Sequence, residues 1–234
     1  MSSSWLAVWS RVQALAWVPA LVWIAWSDRL AHPGFGFGLA LALGASTLTL
    51  AMILRTPRTP ADGVTLLRAV GLAAVVASHT YFSAHSWWLW SLLAAIAALD
   101  LVDGWLARRT RATESGALLD METDQLAVLA MAILVVVRGG GSHVLLLPAL
   151  RYLFVLSAWW LGMPANESKP VDGDNQRGRI VCAIVVCALL FALLPCDSGG
   201  ALDLVTLGAV VLLAWSFAGD WFYLFARRRQ ELRL

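Results

Sequence analysis

The protein has 234 residues, 60% of them hydrophobic and 14% charged, with a mean hydropathy of +0.73. A soluble domain carries about 25% charged residues, so this balance excludes an ordinary cytosolic globule and a disordered chain and specifies a polytopic membrane protein. The net charge of +2 is too small for a nucleic-acid binder, and the cysteines Cys182, Cys187 and Cys196 follow no disulfide or metal spacing and read as free thiols.

At about 20 apolar residues per crossing, eight stretches can be counted, over roughly 5–26, 36–54, 63–80, 87–106, 116–138, 143–162, 179–195 and 203–226. The first has a polar start in Ser10, Arg11 and Gln13, which leaves two placements, a crossing or a segment lying along the interface before it turns inward. No basic segment precedes it, so it reads as a retained helix and not as a cleaved signal. Between the second and third stretches lies Arg55-Thr-Pro-Arg-Thr-Pro60, where two prolines interrupt helix. This linker divides an N-terminal helix pair, residues 1–59, from a six-helix unit, residues 60–234.

Basic residues fall on alternate loops. Arg55 and Arg58, then Arg108, Arg109 and Arg111, then Lys169, Arg177 and Arg179, then Arg227, Arg228, Arg229 and Arg233 lie on one side, against Arg29 and Arg138 on the other. The positive-inside rule puts the first set, and both termini, in the cytoplasm. His32, His79, His85 and His143 fall on the far side without ligand spacing and read as interfacial residues. Trp87, Trp88, Trp90, Trp159 and Trp160 sit at helix ends, the depth of an aromatic belt. The Arg227–Arg229 tail suits anionic lipid.

Charge enters the helices at residues 100–124, and ionisable groups in membrane helices are functional candidates. Asp100 and Asp103 are three apart at the cytoplasmic end of the fourth stretch and share a face, which Gly104 and Ala107 continue with almost no side chain. After a short basic loop, Asp120 and Asp124 are four apart in the first turns of the fifth stretch. A short loop makes the two helices antiparallel neighbours, so four carboxylates meet across one seam. Four such groups repel unless a cation joins them. Hard divalent cations take carboxylate oxygens together with substrate phosphates, and two ions about 3.5–4 Å apart serve displacement at phosphorus. Gly104, Ala107 and Gly116 leave room for a flat group, and Arg108 offers an anion partner. Each feature alone has a structural explanation, in the helix dipole for Asp120 and in helix packing for the small residues. Eight specified residues at this spacing arise by chance on the order of once in ten million chains of average composition.

These residues resemble the signature of the CDP-alcohol phosphotransferase family, D-x2-D-G-x2-A-R, seven or eight residues, then G-x3-D-x3-D. Asp100, Asp103, Gly104, Ala107, Arg108, Gly116, Asp120 and Asp124 meet all eight positions. Asp62-Gly-Val-Thr65-Leu-Leu-Arg68 is similar to the family's Asn-x2-Thr-x2-Arg segment, with Asp62 where Asn is usual, and Gly178-Arg179 resembles its Gly-Lys. The resemblance covers about residues 60–234. It implies an all-α integral membrane enzyme with a six-helix transmembrane catalytic core, here joined by an extra N-terminal helix pair. It implies transfer of a substituted phosphate from a CDP-alcohol, such as CDP-diacylglycerol, to a hydroxyl acceptor with release of CMP, in phospholipid biosynthesis. Asp100, Asp103, Asp120 and Asp124 would hold two Mg²⁺ or Mn²⁺ ions, and Asp124 would also be the general base. Gly104, Ala107, Arg108, Gly116, Asp62 and Thr65 would bind the nucleotide, at a site facing the cytoplasm of a cell or inner membrane. The resemblance also leads us to expect a homodimer.

Arg151 lies well inside the sixth stretch. Either it meets an anionic acceptor group, as part of a phosphate-binding cluster with Arg68, Arg177 and Arg179, or it pairs with a carboxylate, a helix-end carbonyl or a lipid headgroup. The cluster would suit glycerol 3-phosphate or another phosphorylated polyol. Two other function classes compete with the enzyme. A divalent-cation transporter lacks a matching acidic set deep in the other stretches, and a catalytically silent scaffold would not need the complete signature.

Overall fold

A computed structural model describes residues 2–27, 33–57, 59–79, 87–109, 113–162, 174–196 and 200–231. The elements are α1 (Ser2–Ala25), α2 (Pro33–Leu54), α3 (Pro60–Ser78), α4 (Trp87–Arg109), α5 (Glu114–Val137), a 3-10 turn (Ser142–Leu145) leading into α6 (Leu146–Trp160), α7 (Asp174–Ala192) and α8 (Gly200–Glu231). Among the described residues there is no strand, so the chain is all-α, as its hydropathy pattern predicts.

Local chemistry sets the ends. α2 stops where Arg55 turns left-handed at φ 55°. The Arg55 and Thr56 N–H groups then bond back to Met52 and Ala51 carbonyls at 3.2 and 3.0 Å, which satisfies the last turn. α3 begins three residues before the apolar pattern does, because Thr59 and Asp62 form a reciprocal capping box and Pro60 occupies the first turn. α5 is capped by Thr113, whose hydroxyl accepts the Gly116 N–H at 3.0 Å. It ends at Gly139, φ 87°, where no side chain opposes the left-handed turn. α8 outruns its apolar pattern. Its 32 residues span roughly 48 Å, so its arginine-rich end extends past a hydrocarbon core about 30 Å thick.

Five helical segments are long and apolar enough to cross a membrane: Leu6–Ala25, Gly34–Leu54, Pro60–Ser78, Ser142–Trp160 and Gly200–Phe222. The protein is therefore a multi-pass membrane protein. α4 and α7 have shorter apolar parts, Trp87–Asp100 and Ile180–Ala192. α5 turns apolar only after Asp124. The three helices outside this set, α4, α5 and α7, each carry charged residues toward one end.

α5 is the axis of the molecule. α2, α3, α6 and α7 all pack on it, and every residue from Val128 to Val135 is buried. A helix apolar all round is stable only in such a position. α3 packs between α2 and α4, and α7 against α8. The core that surrounds α5 also takes in Ala14, Trp17 and Leu21 of α1 and Leu39 and Leu43 of α2.

α1 packs more extensively on α6 than on α2, with the Arg11 guanidinium 5.3 Å from the Trp159 ring centroid. Gln13 of its polar start has internal partners. Gln13 Oε1 accepts hydrogen bonds from Trp17 Nε1 at 2.8 Å and Ser46 Oγ at 3.0 Å. Trp9 Nε1 donates to Thr49 Oγ1 at 3.2 Å. Of the polar residues that look interfacial in sequence, Gln13 thus faces α2 and Arg11 faces α6, inside one continuous helix.

Candidate active site

The site is built from α3, α4 and α5. On α3 the residues Asp62, Thr65 and Arg68 recur every three positions and share a face; all three are buried. Arg68 reaches across to both neighbouring helices. Its Nη1 lies 2.9 Å from Asp100 Oδ1 of α4 and 3.0 Å from Asp120 Oδ1 of α5, and its Nη2 lies 2.6 Å from Asp124 Oδ1. Charge-assisted contacts of this length are strong. They form because the sequence spacing puts Asp120 and Asp124 on one face of α5, as the four-residue interval requires.

The triad opens outward. The side chains of Asp100, Asp120 and Asp124 are 45%, 40% and 27% exposed, while that of Arg68 is 5% exposed. The guanidinium therefore lies beneath the carboxylates, and solvent reaches them from the other side. One carboxylate oxygen from each aspartate lies within 4.8 Å of the other two. This donor set suits a hard divalent cation. Formal charges point the same way, since among the described side chains of the cluster three carboxylates face one guanidinium. The sequence places Asp103 one turn along from Asp100. Its side chain, with those of Ala107, Arg108, Arg177 and Arg179, lies outside the described residues. Gly104 is half-buried in α4.

Gly116 has a definite neighbour. A Cβ there would collide with Asp62 Oδ1 and sit 3.0 Å from Thr113 Oγ1. Its bareness lets the first turn of α5 meet the first turn of α3, and the Asp62 carboxylate fills the space. The other Asp62 oxygen, Oδ2, accepts the Thr59 N–H at 3.2 Å. Thr65 Oγ1 donates to the Ala61 carbonyl at 3.2 Å.

Arg151 is on the opposite side of α5. Its Nη2 donates to Glu122 Oε1 at 3.1 Å, with both side chains largely buried. Glu122 lies two residues from both Asp120 and Asp124, and helical residues two apart do not face each other. Of the partners considered for Arg151, the structure contains the carboxylate. It does not bring Arg151 to the face of Arg68.

Two features were not expected from the sequence. Arg68 is bound to all three aspartates, a pairing across 52 and 56 residues for Asp120 and Asp124 that no local pattern encodes. Cys182 of α7 lies within electrostatic reach of Asp124, Asp100 and Asp120. It follows Gly178 by one helical turn, which is the one sequence signal that could have placed it here.

No curated protein and no solved structure matches the chain. A family model described as CDP-alcohol phosphatidyltransferase matches residues 58–219, from the start of the α3 cap into α8 and across the whole aspartate site, and the chain belongs to that family.

Proposed function

We propose that the protein moves a substituted phosphate, a phosphatidyl group when the donor is CDP-diacylglycerol, to a hydroxyl of a small polar acceptor and releases CMP, in phospholipid synthesis. The family transfers phosphate-linked groups from CDP-alcohols in lipid synthesis, and its members are generally divalent-metal dependent. The observation that carries the reading is the convergence of Asp100, Asp120 and Asp124 within 4.8 Å, from α4 and α5, which both pack on α3.

Asp100, Asp103, Asp120 and Asp124 are the residues that would hold Mg²⁺ or Mn²⁺, as two ions. Bound there, the ions would offset the charge of the donor diphosphate and open its phosphorus to an incoming oxygen. Asp124 serves as general base on the acceptor hydroxyl. It is the least exposed of the three carboxylates and lies one turn deeper in α5 than Asp120, about 6 Å at 1.5 Å per residue. A proton acceptor must be within hydrogen-bond reach of the hydroxyl it activates, so the acceptor enters beside Asp124. Gly104, Ala107 and Arg108 at the end of α4, Gly116 across the loop, and Asp62 and Thr65 on α3 form the nucleotide side. Arg177 and Arg179, at the start of α7, supply positive charge for an acceptor such as glycerol 3-phosphate. Arg68 and Arg151 each hold carboxylates in the structure, so they would reach an acceptor phosphate only by exchanging those partners.

The arginine distribution along the sequence supports a site facing the cytoplasm. Lipid tails would then stay in the bilayer while CMP leaves to water. Residues 1–59 are an accessory helix pair on a catalytic unit of residues 60–234, a division supported by the start of the family match at residue 58.

The test is CMP release by purified protein in liposomes with Mg²⁺ or Mn²⁺. CDP-diacylglycerol is offered with glycerol 3-phosphate, inositol phosphate, inositol or serine, with Asp124→Asn beside wild type. Release with one acceptor, lost in the variant and on chelation, is expected. Metal binding by folded protein without release from CDP-diacylglycerol, CDP-choline or CDP-ethanolamine overturns the reading in favour of a transporter or a silent scaffold.

A further inference from the structure

The aspartate triad answers to two cations, one built into the chain and one that would come from outside. The built-in cation is the Arg68 guanidinium, which is always charged. It holds Oδ1 of Asp100, Asp120 and Asp124 at 2.9, 3.0 and 2.6 Å from a position only 5% exposed. The same three residues each present a carboxylate oxygen within 4.8 Å of the other two, and their side chains are partly open to solvent. A divalent ion drawing on those carboxylates would share them with Arg68 at short range. Like charges at such distances repel strongly where solvent screening is reduced. Arg68 also gathers three carboxylates that would otherwise push apart, so it both prepares the site and competes for it.

We propose that Arg68 is a counter-ion latch, which holds the triad together when no divalent cation is present and keeps its affinity for that cation low until the donor diphosphate adds negative charge. The proposal rests on the metal-dependent transferase reading above and deepens it. Arg68 acts through the aspartates and is a positioning residue. The consequence is coupling. Donor diphosphate tightens metal binding, and by linkage the metal tightens the donor by the same factor.

The experiment measures free Mn²⁺ by electron paramagnetic resonance with the full chain in detergent, first without nucleotide and then with CDP, which carries the cytidine and the diphosphate but no lipid. Arg68→Gln removes the latch. Without CDP it should bind Mn²⁺ about tenfold more tightly than wild type. CDP should tighten Mn²⁺ about tenfold in wild type and much less in the variant, within the usual range of coupling between sites. Equal or weaker Mn²⁺ binding by a helical Arg68→Gln overturns the proposal. Should that variant lose its helical circular dichroism, Arg68→Lys takes its place, since lysine keeps the charge but not the planar fork that spans three carboxylates. It should bind Mn²⁺ a few-fold more tightly, and no gain counts against the latch. Absence of any CDP effect in wild type also overturns it. Asp120→Asn separates the two levels of the argument. Unchanged Mn²⁺ binding in that variant removes the metal site itself, and the latch with it. Loss of binding there, with no gain on removing Arg68, removes the latch alone.

Discussion

Two arginines meet carboxylates of α5 on opposite faces, and they meet them in different ratios. Arg68 is bound to Asp120 and Asp124 of α5 together with Asp100 of α4, and the three carboxylates stay partly open to solvent. Arg151 is bound to Glu122, and both partners are largely closed off. Among the described side chains, the first group sets three carboxylates against one guanidinium, and the second sets one against one. A closed neutral pair is a complete structural unit. An open cluster of carboxylates is one whose charge suits a further cation. Charge balance and exposure together, and not the presence of ionised groups in a membrane helix, separate the two faces.

Asp124→Asn should give the largest effect and should act on catalysis far more than on stability. Loss of a general base costs about 10²- to 10⁴-fold in rate. Asparagine Oδ1 can still accept from Arg68, so the melting temperature in detergent should fall little. The check is CMP release and thermal unfolding on the same preparation. A large drop in melting temperature would mean that the open face is structural too, and the contrast would fail.

Glu122→Leu should do the reverse. It leaves the Arg151 guanidinium buried without its carboxylate, and breaking a buried pair from one side costs about 3 kcal/mol or more. Replacing both partners, Glu122→Leu with Arg151→Leu, should recover most of that loss, because matched apolar side chains often replace a buried pair at little cost. Unfolding curves of the single and double variants decide it. The double variant also bears on the acceptor. A raised acceptor KM with unchanged donor KM would return Arg151 to the phosphate-binding cluster that its depth in the sequence suggests.

Gly116→Ala should come next. Its methyl group would run into the Asp62 carboxylate, and forcing extra atoms into a packed contact costs about 1–3 kcal/mol. The strain falls between the first turns of α3 and α5, so it should disturb the open face and leave the Glu122–Arg151 pair alone. CMP release should drop by more than the melting temperature suggests. Asp62→Ala in the same chain removes the obstructing carboxylate and should relieve the part of the defect due to collision, though not the part due to the lost cap.

The sequence and the structure agree most closely where the signal is local. Apolar runs mark the eight helices of the described residues, and two of the differing ends have a local cause, a cap at Thr59 and Pro60 and a helix that runs past the apolar layer in α8. The aspartates were legible because their three- and four-residue intervals fix a shared face. What the intervals cannot encode is a partner on another helix. Arg68 stands in a segment similar to a family motif, yet its three carboxylates come from α4 and α5. Glu122 sits between Asp120 and Asp124 in the sequence and points the other way, where Arg151 meets it. The open question about α1 had the same cause, because the Ser46 hydroxyl that binds Gln13 is 33 residues away.

That last contact gives the smallest and most specific test. Gln13 accepts two hydrogen bonds between and within α1 and α2, and hydrogen bonds between membrane helices average about 0.6 kcal/mol each. Gln13→Leu should therefore lower stability by about 1 kcal/mol. The loss is small because the indole N–H of Trp17 and the Ser46 hydroxyl find other acceptors more easily than a buried guanidinium does. If α1 crosses beside α2, Ser46→Ala should lose little more once Gln13 is gone, and a double-mutant cycle on unfolding in detergent reads this as coupling. Additive losses would mean that the two side chains do not meet and that α1 lies elsewhere, with its polar start at the interface. In the coupled case α1 is held on one side by a neutral polar seam to α2 and on the other by the Arg11–Trp159 contact to α6. Neither contact involves the aspartate triad, so Mn²⁺ affinity should not change in Gln13→Leu. A change would mean that α1 helps to set the open face, and would move the boundary of the catalytic unit toward the N-terminus.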